Sequence, residues 1–201
     1  GGYHQTALSP KFGLVYQLLK NQVSLFGNYQ NGFTNETGVD YAGHHFKPEQ
    51  ANQWEGGIKL NAFNGKLGGT ISYYDIKVKD ILRNDPDHAN FSIQNGTQLS
   101  KGIEADITAN PFPGFNIVGG YAHNKSEYTN ADDDVNGLRP NSSGPENMAN
   151  FWVSYHFMQG CIKGLGFGFG GNYEGKSLVV SSKSQGQFYV PEYTVLNATL
   201  F

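Results

Sequence analysis

His44 and His45 stand side by side, and with Tyr41 and Phe46 they form the densest group of imidazole and aromatic side chains in the chain. Imidazole nitrogens ligate metals, but adjacent side chains rarely converge without further ligands, and none lies at a suitable spacing. What the group offers is a stacking and hydrogen-bonding surface for touching a ligand; the competing account is an ordinary exposed loop. Asp132-Asp133-Asp134-Val135-Asn136-Gly137 matches the D-x-D-x-N-G opening of a calcium loop. The twelfth position is Ser143 where an EF-hand needs Glu, so a solvated acidic loop is expected and no metal site. Gly166-Phe-Gly-Phe-Gly-Gly171 spells G-x-G-x-x-G, but its glycines alternate with Phe inside a strand pattern. A dinucleotide loop must instead join a strand to a helix. Glu55, Lys59, Glu104 and Asp106 bring charge without an accompanying nucleophile, and no Ser-His-Asp set can be assembled by spacing, so no enzyme is expected. A lone Cys161 excludes an internal disulfide framework.

The elements carrying these residues are strands. Phe12, Leu14, Tyr16 and Leu18 alternate with polar or small neighbours, as do Trp54, Gly56, Ile58 and Leu60, then Ile103, Ala105, Ile107 and Ala109. Phe151, Val153 and Tyr155 follow, and Phe167, Phe169 and Tyr173 alternate with glycines and Asn172. A period of two is the mark of a strand with unlike faces. About nine such segments are expected, with Lys66–Leu82 as one long strand of ambiguous phase because Tyr73 and Tyr74 allow either register. Their connections go short, long, short, long. The short ones are Lys20-Asn21, Ala62–Gly65, Pro111–Gly114 and Met158–Gly164; the long ones are Thr34–Ala51, Arg83–Gly96, Thr129–Asn147 and Gly175–Glu192. An antiparallel up-and-down meander with unlike rims gives this pattern, and a transmembrane β-barrel requires it.

Composition is compatible with that architecture. The 201 residues are 38% hydrophobic and 14% aromatic, and mean hydropathy is −0.48. In a barrel only every second residue meets lipid, so these values do not exclude one, and the aromatics suit interfacial girdles. The 27 glycines fall partly within strands, where small lumen-facing residues suit a curved wall; Gly170 is expected to accept Ser, whereas Phe169 on the lipid side should not accept Arg. A net charge of −3 gives no footprint for nucleic acid.

Phe46-Lys47-Pro48-Glu49, followed by Trp54-Glu55-Gly56-Gly57-Ile58-Lys59, resembles the motif of TonB-dependent siderophore receptors. The resemblance continues through Ser72–Leu82, Ser100-Lys101-Gly102-Ile103-Glu104, Pro113–Phe115 and Asn150–Tyr155, with Lys101 where the family usually has Arg. It implies an all-β fold, an arc of a 22-strand outer-membrane barrel. Residues 1–201 would be part of the barrel domain, with the plug domain, the TonB-contacting box and the final strands lying elsewhere. Pro48, Glu49, Glu55, Gly57, Lys59, Gly102 and Glu104 would be motif positions of structural kind. Tyr41, His44, His45 and Phe46 are the candidate ligand contacts. The implied activity is uptake of a ferric siderophore, with outer-membrane lipid and a TonB-type energy-coupling protein as partners and no cofactor. An importer of a vitamin or glycan, a soluble all-β binding module and an outer-membrane lipase are the alternatives.

Overall fold

The computed structural model describes residues 8–85 and 87–201. In chain order the strands are β1 (Lys11–Leu19), β2 (Val23–Thr34), β3 (Glu49–Ala62), β4 (Leu67–Lys79), β5 (Leu82–Asn84), β6 (Ser92–Gln94), β7 (Thr97–Ala109) and β8 (Phe115–Thr129). A 3-10 turn, Asn141–Ser143, precedes β9 (Asn147–His156), β10 (Gly166–Glu174), β11 (Ser177–Ser182), β12 (Gly186–Val190) and β13 (Tyr193–Leu200). Nine of them make one antiparallel sheet in the order β1-β2-β3-β4-β7-β8-β9-β10-β13, a meander without crossovers.

Two features differ from the sequence expectation. The long strand stops at Lys79, because Asp80 takes a left-handed backbone (φ 57°), and Leu82 belongs to a separate short strand. Two of the long connections also carry their own hairpins, β5–β6 and β11–β12. Strands of three to six residues among polar loop residues are too short to show a period.

The register sorts side chains into two faces. Leu25, Ile58, Ile71, Ala105 and Tyr121 form one row across five strands. Asn28, Glu55, Tyr74, Gly102 and Asn124 form a row on the opposite face. Glu55, Lys59, Glu104 and Asp106 all lie on that polar face, Lys59 opposite Ser24 and Thr70, and Glu104 opposite Ser72. The ambiguity at the tyrosine pair is resolved: Tyr73 faces with Ile103, Tyr74 with Glu55.

Among the described residues no second layer covers the apolar face. Phe46, Ile81 and Leu178 are the buried hydrophobic residues among those described, and all three lie in the long connections. On the sheet, Ile58, Ile71, Phe169 and Leu196 remain exposed. A soluble sandwich would bury such a face against another sheet, and an apolar surface of this extent needs a partner phase. Aromatic side chains stand towards both rims. Tyr29 packs on Trp54 (centroids 4.6 Å apart) towards the long-loop rim. At the short-turn rim Phe112, Phe115, Tyr155, Phe157 and Phe167 touch one another at 4.9–6.4 Å. Strands crossing a bilayer need about 9–11 residues, so β2, β3, β4, β7 and β8, with 12 to 15, project beyond the bilayer and carry the long loops above it.

Glycines on the polar face make room for rings. A Cβ on Gly57 would come within 2.7 Å of the Phe26 ring, one on Gly102 would overlap Tyr74, and one on Gly168 or Gly170 would overlap the indole of Trp152. Each ring belongs to the neighbouring strand at the paired position or beside it. Gly170 therefore does not offer the spare room expected from its being small and lumen-facing; its added Cβ would also strike the Phe151 carbonyl oxygen.

Phe169→Arg puts a guanidinium at mid-strand on the apolar face and is expected to cost about 2–4 kcal/mol in lipid. Gly170→Ser should also lower the assembled fraction by displacing Trp152, while Asn172→Ser on the same polar face should assemble normally. The folded fraction in membranes measures all three, and full assembly of Gly170→Ser would remove the ring-packing account.

Candidate functional site

The long connections form one layer above the sheet, built from backbone turns and charge pairs. In loop 35–48, Asp40 accepts the His44 amide (2.8 Å) and lies 3.1 Å from its Nδ1, while backbone bonds between residues 40, 43 and 44 close a tight turn. The His44 amide is the main reason that the Asp40 carboxyl sits below its ordinary value. Val39 bridges His45 across this turn. The histidines thus serve a hairpin, and no group of three His, Cys, Asp or Glu side chains among the described residues is arranged to hold a metal.

Of the four candidate contacts, Tyr41, His44 and His45 are exposed. Phe46 is not. It is 5% exposed, with Gly38 against its ring, and so belongs to the interior of the loop layer. The aromatic surface is completed by two residues that the sequence did not single out: Tyr41 stacks on His88 (3.6 Å, 12°) and meets Phe91 edge-on (5.2 Å). His88 in turn lies 3.0 Å from Asp85. No spacing rule joins residue 41 to residue 88; only the pairing of β3 with β4 brings their loops together.

Ion pairs and amides tie the loops to one another. Gln94 accepts the Lys47 amide (2.8 Å) and donates to the Lys47 and Asp80 carbonyls, linking loops 35–48 and 80–96. The Glu49 carboxylate, the last residue of the Phe-Lys-Pro-Glu motif, accepts the Leu82 amide (2.7 Å) and holds β5 in place. Arg83 pairs with Asp132 at 2.6 Å, donates to the Asn95 carbonyl (2.9 Å) and lies over the Tyr128 ring. Asn95 also donates to Asp132. Asp134 accepts the Ser184 amide (2.7 Å), and its carbonyl accepts the Lys183 amide (2.8 Å), so loop 130–146 holds hairpin β11–β12. The acidic run that imitates a calcium loop is therefore a set of inter-loop acceptors.

Loop 130–146 folds back onto the polar face. Arg139 is buried there, donating to the Asn124 carbonyl and side chain (3.0 Å each) and to Gly144 (3.1 Å), with Glu146 at 3.8 Å. Asn124 continues the network to Tyr74 and, through Ser126, to Ser100. Between the loops lies a cleft lined by Arg83, Tyr128, Asp132, Asn141, Ser181 and Gln185.

A one-layer meander, apolar on one side, with tight turns at one rim and interlocked loops at the other, is the wall of a transmembrane β-barrel. Residues 1–201 match the family model of the TonB dependent receptor-like β-barrel, and the chain belongs to that family. Its place is the bacterial outer membrane. A metal-pseudopaline receptor of Pseudomonas aeruginosa is 30% identical over 96% of this chain and 27% of its own length. The ferrichrome outer membrane transporter/phage receptor of Escherichia coli is 31% identical over 92% of this chain and 24% of its own length. The pyoverdine outer membrane receptor of P. aeruginosa, solved with pyoverdine bound, superimposes with a TM-score of 0.78 at 22% identity, covering 94% of this chain and 28% of that one. The chain thus spans about a quarter of the length of these relatives.

The Asp134 latch has a predictable pH dependence. Hydrogen bonds, that from the Ser182 side chain foremost, hold its carboxyl below the ordinary value of 3.8. A carboxylate favoured in the folded state stabilises fully above its unfolded pKa, and that contribution disappears as pH falls through the folded one. Protection of the 183–184 amides, taken relative to their intrinsic exchange rate at each pH, should persist at pH 5 and fall below about pH 4. Asp134→Asn should exchange fast at both values; equal protection in this variant would show that the latch does not hold the hairpin.

Proposed function

We propose that the protein containing this wall is an outer-membrane receptor that captures a ferric siderophore on its outer loops and imports it, energised by a TonB-type protein of the inner membrane. The observation that carries this reading is the construction of the loop layer. Four long loops are cross-tied by Gln94, Arg83, Asp132 and Asp134, three of them rising from β2, β3, β4, β7 and β8, which outrun the membrane, and they leave Tyr41, His44 and His45 facing outward. A rigid scaffold presenting polar and aromatic groups on loops is the arrangement that ligand capture needs. The names of the relatives supply the ligand class: metal-pseudopaline, ferrichrome and pyoverdine.

In this account the segment supplies wall and binding surface, and transport requires a plug domain and coupling box elsewhere in the protein. The charged polar face, with Glu55, Lys59, Glu104 and Asp106, would line the lumen where water or the plug keeps charge solvated. The Glu49, Gly57 and Gly102 positions act on structure: Glu49 through the Leu82 amide, Gly57 and Gly102 through the rings packed on them.

The test is iron uptake by cells that carry the full receptor as their sole route for a panel of ferric chelates. Uptake of at least one, abolished by deletion of the receptor or of the energy-coupling protein, is the expected result. Uptake of none would refute the proposal. Replacing Tyr41, His44 and His45 together by Ala should weaken binding of the imported chelate by about 1–3 kcal/mol, with barrel assembly unchanged.

A further inference from the structure

The negative charge of this chain is concentrated where a ligand would arrive. Loops 35–48, 80–96, 130–146 and 175–192 contain ten carboxylates and five Lys or Arg, a net charge of −5. The rest of the chain is +2, since the total is −3.

The two arginines in these loops are directed inward, whereas Lys47, Lys176 and Lys183 are exposed. Arg83 is held by Asp132 and the Asn95 carbonyl. Arg139 is buried among Asn124, Gly144 and Glu146. Lys176 lies 3.9 Å from Glu192. Asp87 and Asp133, by contrast, are exposed. An anionic ligand needs guanidinium or ammonium groups that it can reach; both arginines of this layer are engaged in holding loops together, and its three exposed lysines stand among ten carboxylates.

The aromatic surface has the same preference. Tyr41 is 59% exposed and Phe91 40%, and Tyr41 meets both Phe91 and His88, the latter within reach of Asp85. Ring faces carry negative quadrupole density and favour cations or uncharged surfaces. Carboxylates around them add to that field.

Ferric chelates fall into charge classes. Three hydroxamates neutralise Fe(III), giving a complex of charge zero, or +1 when the siderophore keeps a free ammonium group; three catecholates give 3−. Resting on the reading of this protein as a siderophore receptor, we propose that its loop layer selects a ferric tris-hydroxamate of charge zero or +1 and discriminates against trianionic tris-catecholates. Like charge facing like charge is the repulsive half of this specificity, and the exposed rings are the attractive half.

The test uses the full receptor in outer-membrane vesicles and three probes: ferrichrome (neutral), ferrioxamine B (cationic) and ferric enterobactin (trianionic). The trianion should bind at least about 100-fold more weakly than the better hydroxamate, a gap of about 2.7 kcal/mol. Between 50 and 500 mM salt the cation should lose affinity several-fold, the trianion should gain and the neutral chelate should change less than about twofold, because screening acts on charge alone. The double variant Asp87→Asn, Asp133→Asn alters the field and no inter-loop tie. It should weaken ferrioxamine B about threefold, strengthen the trianion and leave ferrichrome within about twofold. If the trianion binds most tightly, or if salt and the double variant act with the opposite sign, the inference is overturned while the receptor reading stands. If neither hydroxamate binds, the inference also falls. Whether the receptor reading falls with it is decided separately by the uptake panel, in which import of any other ferric chelate preserves that reading.

Discussion

The contact on which the wall depends is a ring lying across a glycine of the next strand. Phe26 over Gly57, Tyr74 over Gly102 and Trp152 over Gly168 and Gly170 place large side chains on the polar face without pushing neighbouring strands apart. They also pin the register. A slip of one residue would send every side chain of a strand to the opposite face, and would set Tyr74 opposite Lys101 or Ile103 in place of Gly102. In a membrane that slip would put Glu55, Lys59, Glu104 or Asp106 into hydrocarbon, so the same contacts that fill the inner surface keep charge out of the outer one.

From a fixed register the loop layer follows. The meander sets four long connections side by side along one rim, where residues 40 to 50 positions apart in sequence become neighbours. Arg83 reaches Asp132, Gln94 reaches Lys47 and Asp134 reaches Ser184 only because β7 pairs with β8, β3 with β4 and β9 with β10. The layer has a hydrophobic interior of its own in Phe46, Ile81 and Leu178, so its shape does not rest on polar contacts alone. A binding surface built in this way is a property of the wall, and loops of the same composition on a different sheet would not form it.

Much of the wall was legible in the sequence because alternation, turn length and motif order are local. Trp54, Ile58, Phe151 and Phe169 declare their faces by period alone, and the nine paired strands follow from that. The loop layer was not legible. Its hairpins are too short for a period, Tyr41 and His88 meet through tertiary pairing, and Phe46 looks like an exposed aromatic until the turn at Asp40 folds it inward. The acidic run at Asp132–Asp134 reads as a solvated loop, although two of its carboxylates join neighbouring loops. The glycines misled in a different way. Smallness suggested tolerance, whereas at Gly170 the missing Cβ is the space that Trp152 occupies.

The central claim is that one face of this sheet meets lipid and the other faces the barrel interior, and spin labels placed singly along positions 116 to 123 of β8 in the full receptor, on a Cys161→Ser background, test it most directly. Accessibility to lipid-dissolved oxygen should alternate residue by residue, high at Ile117, Tyr121 and His123 and low at Asn116, Val118 and Ala122. A flat profile, or one with its maxima at Asn116, Val118 and Ala122, would contradict the account.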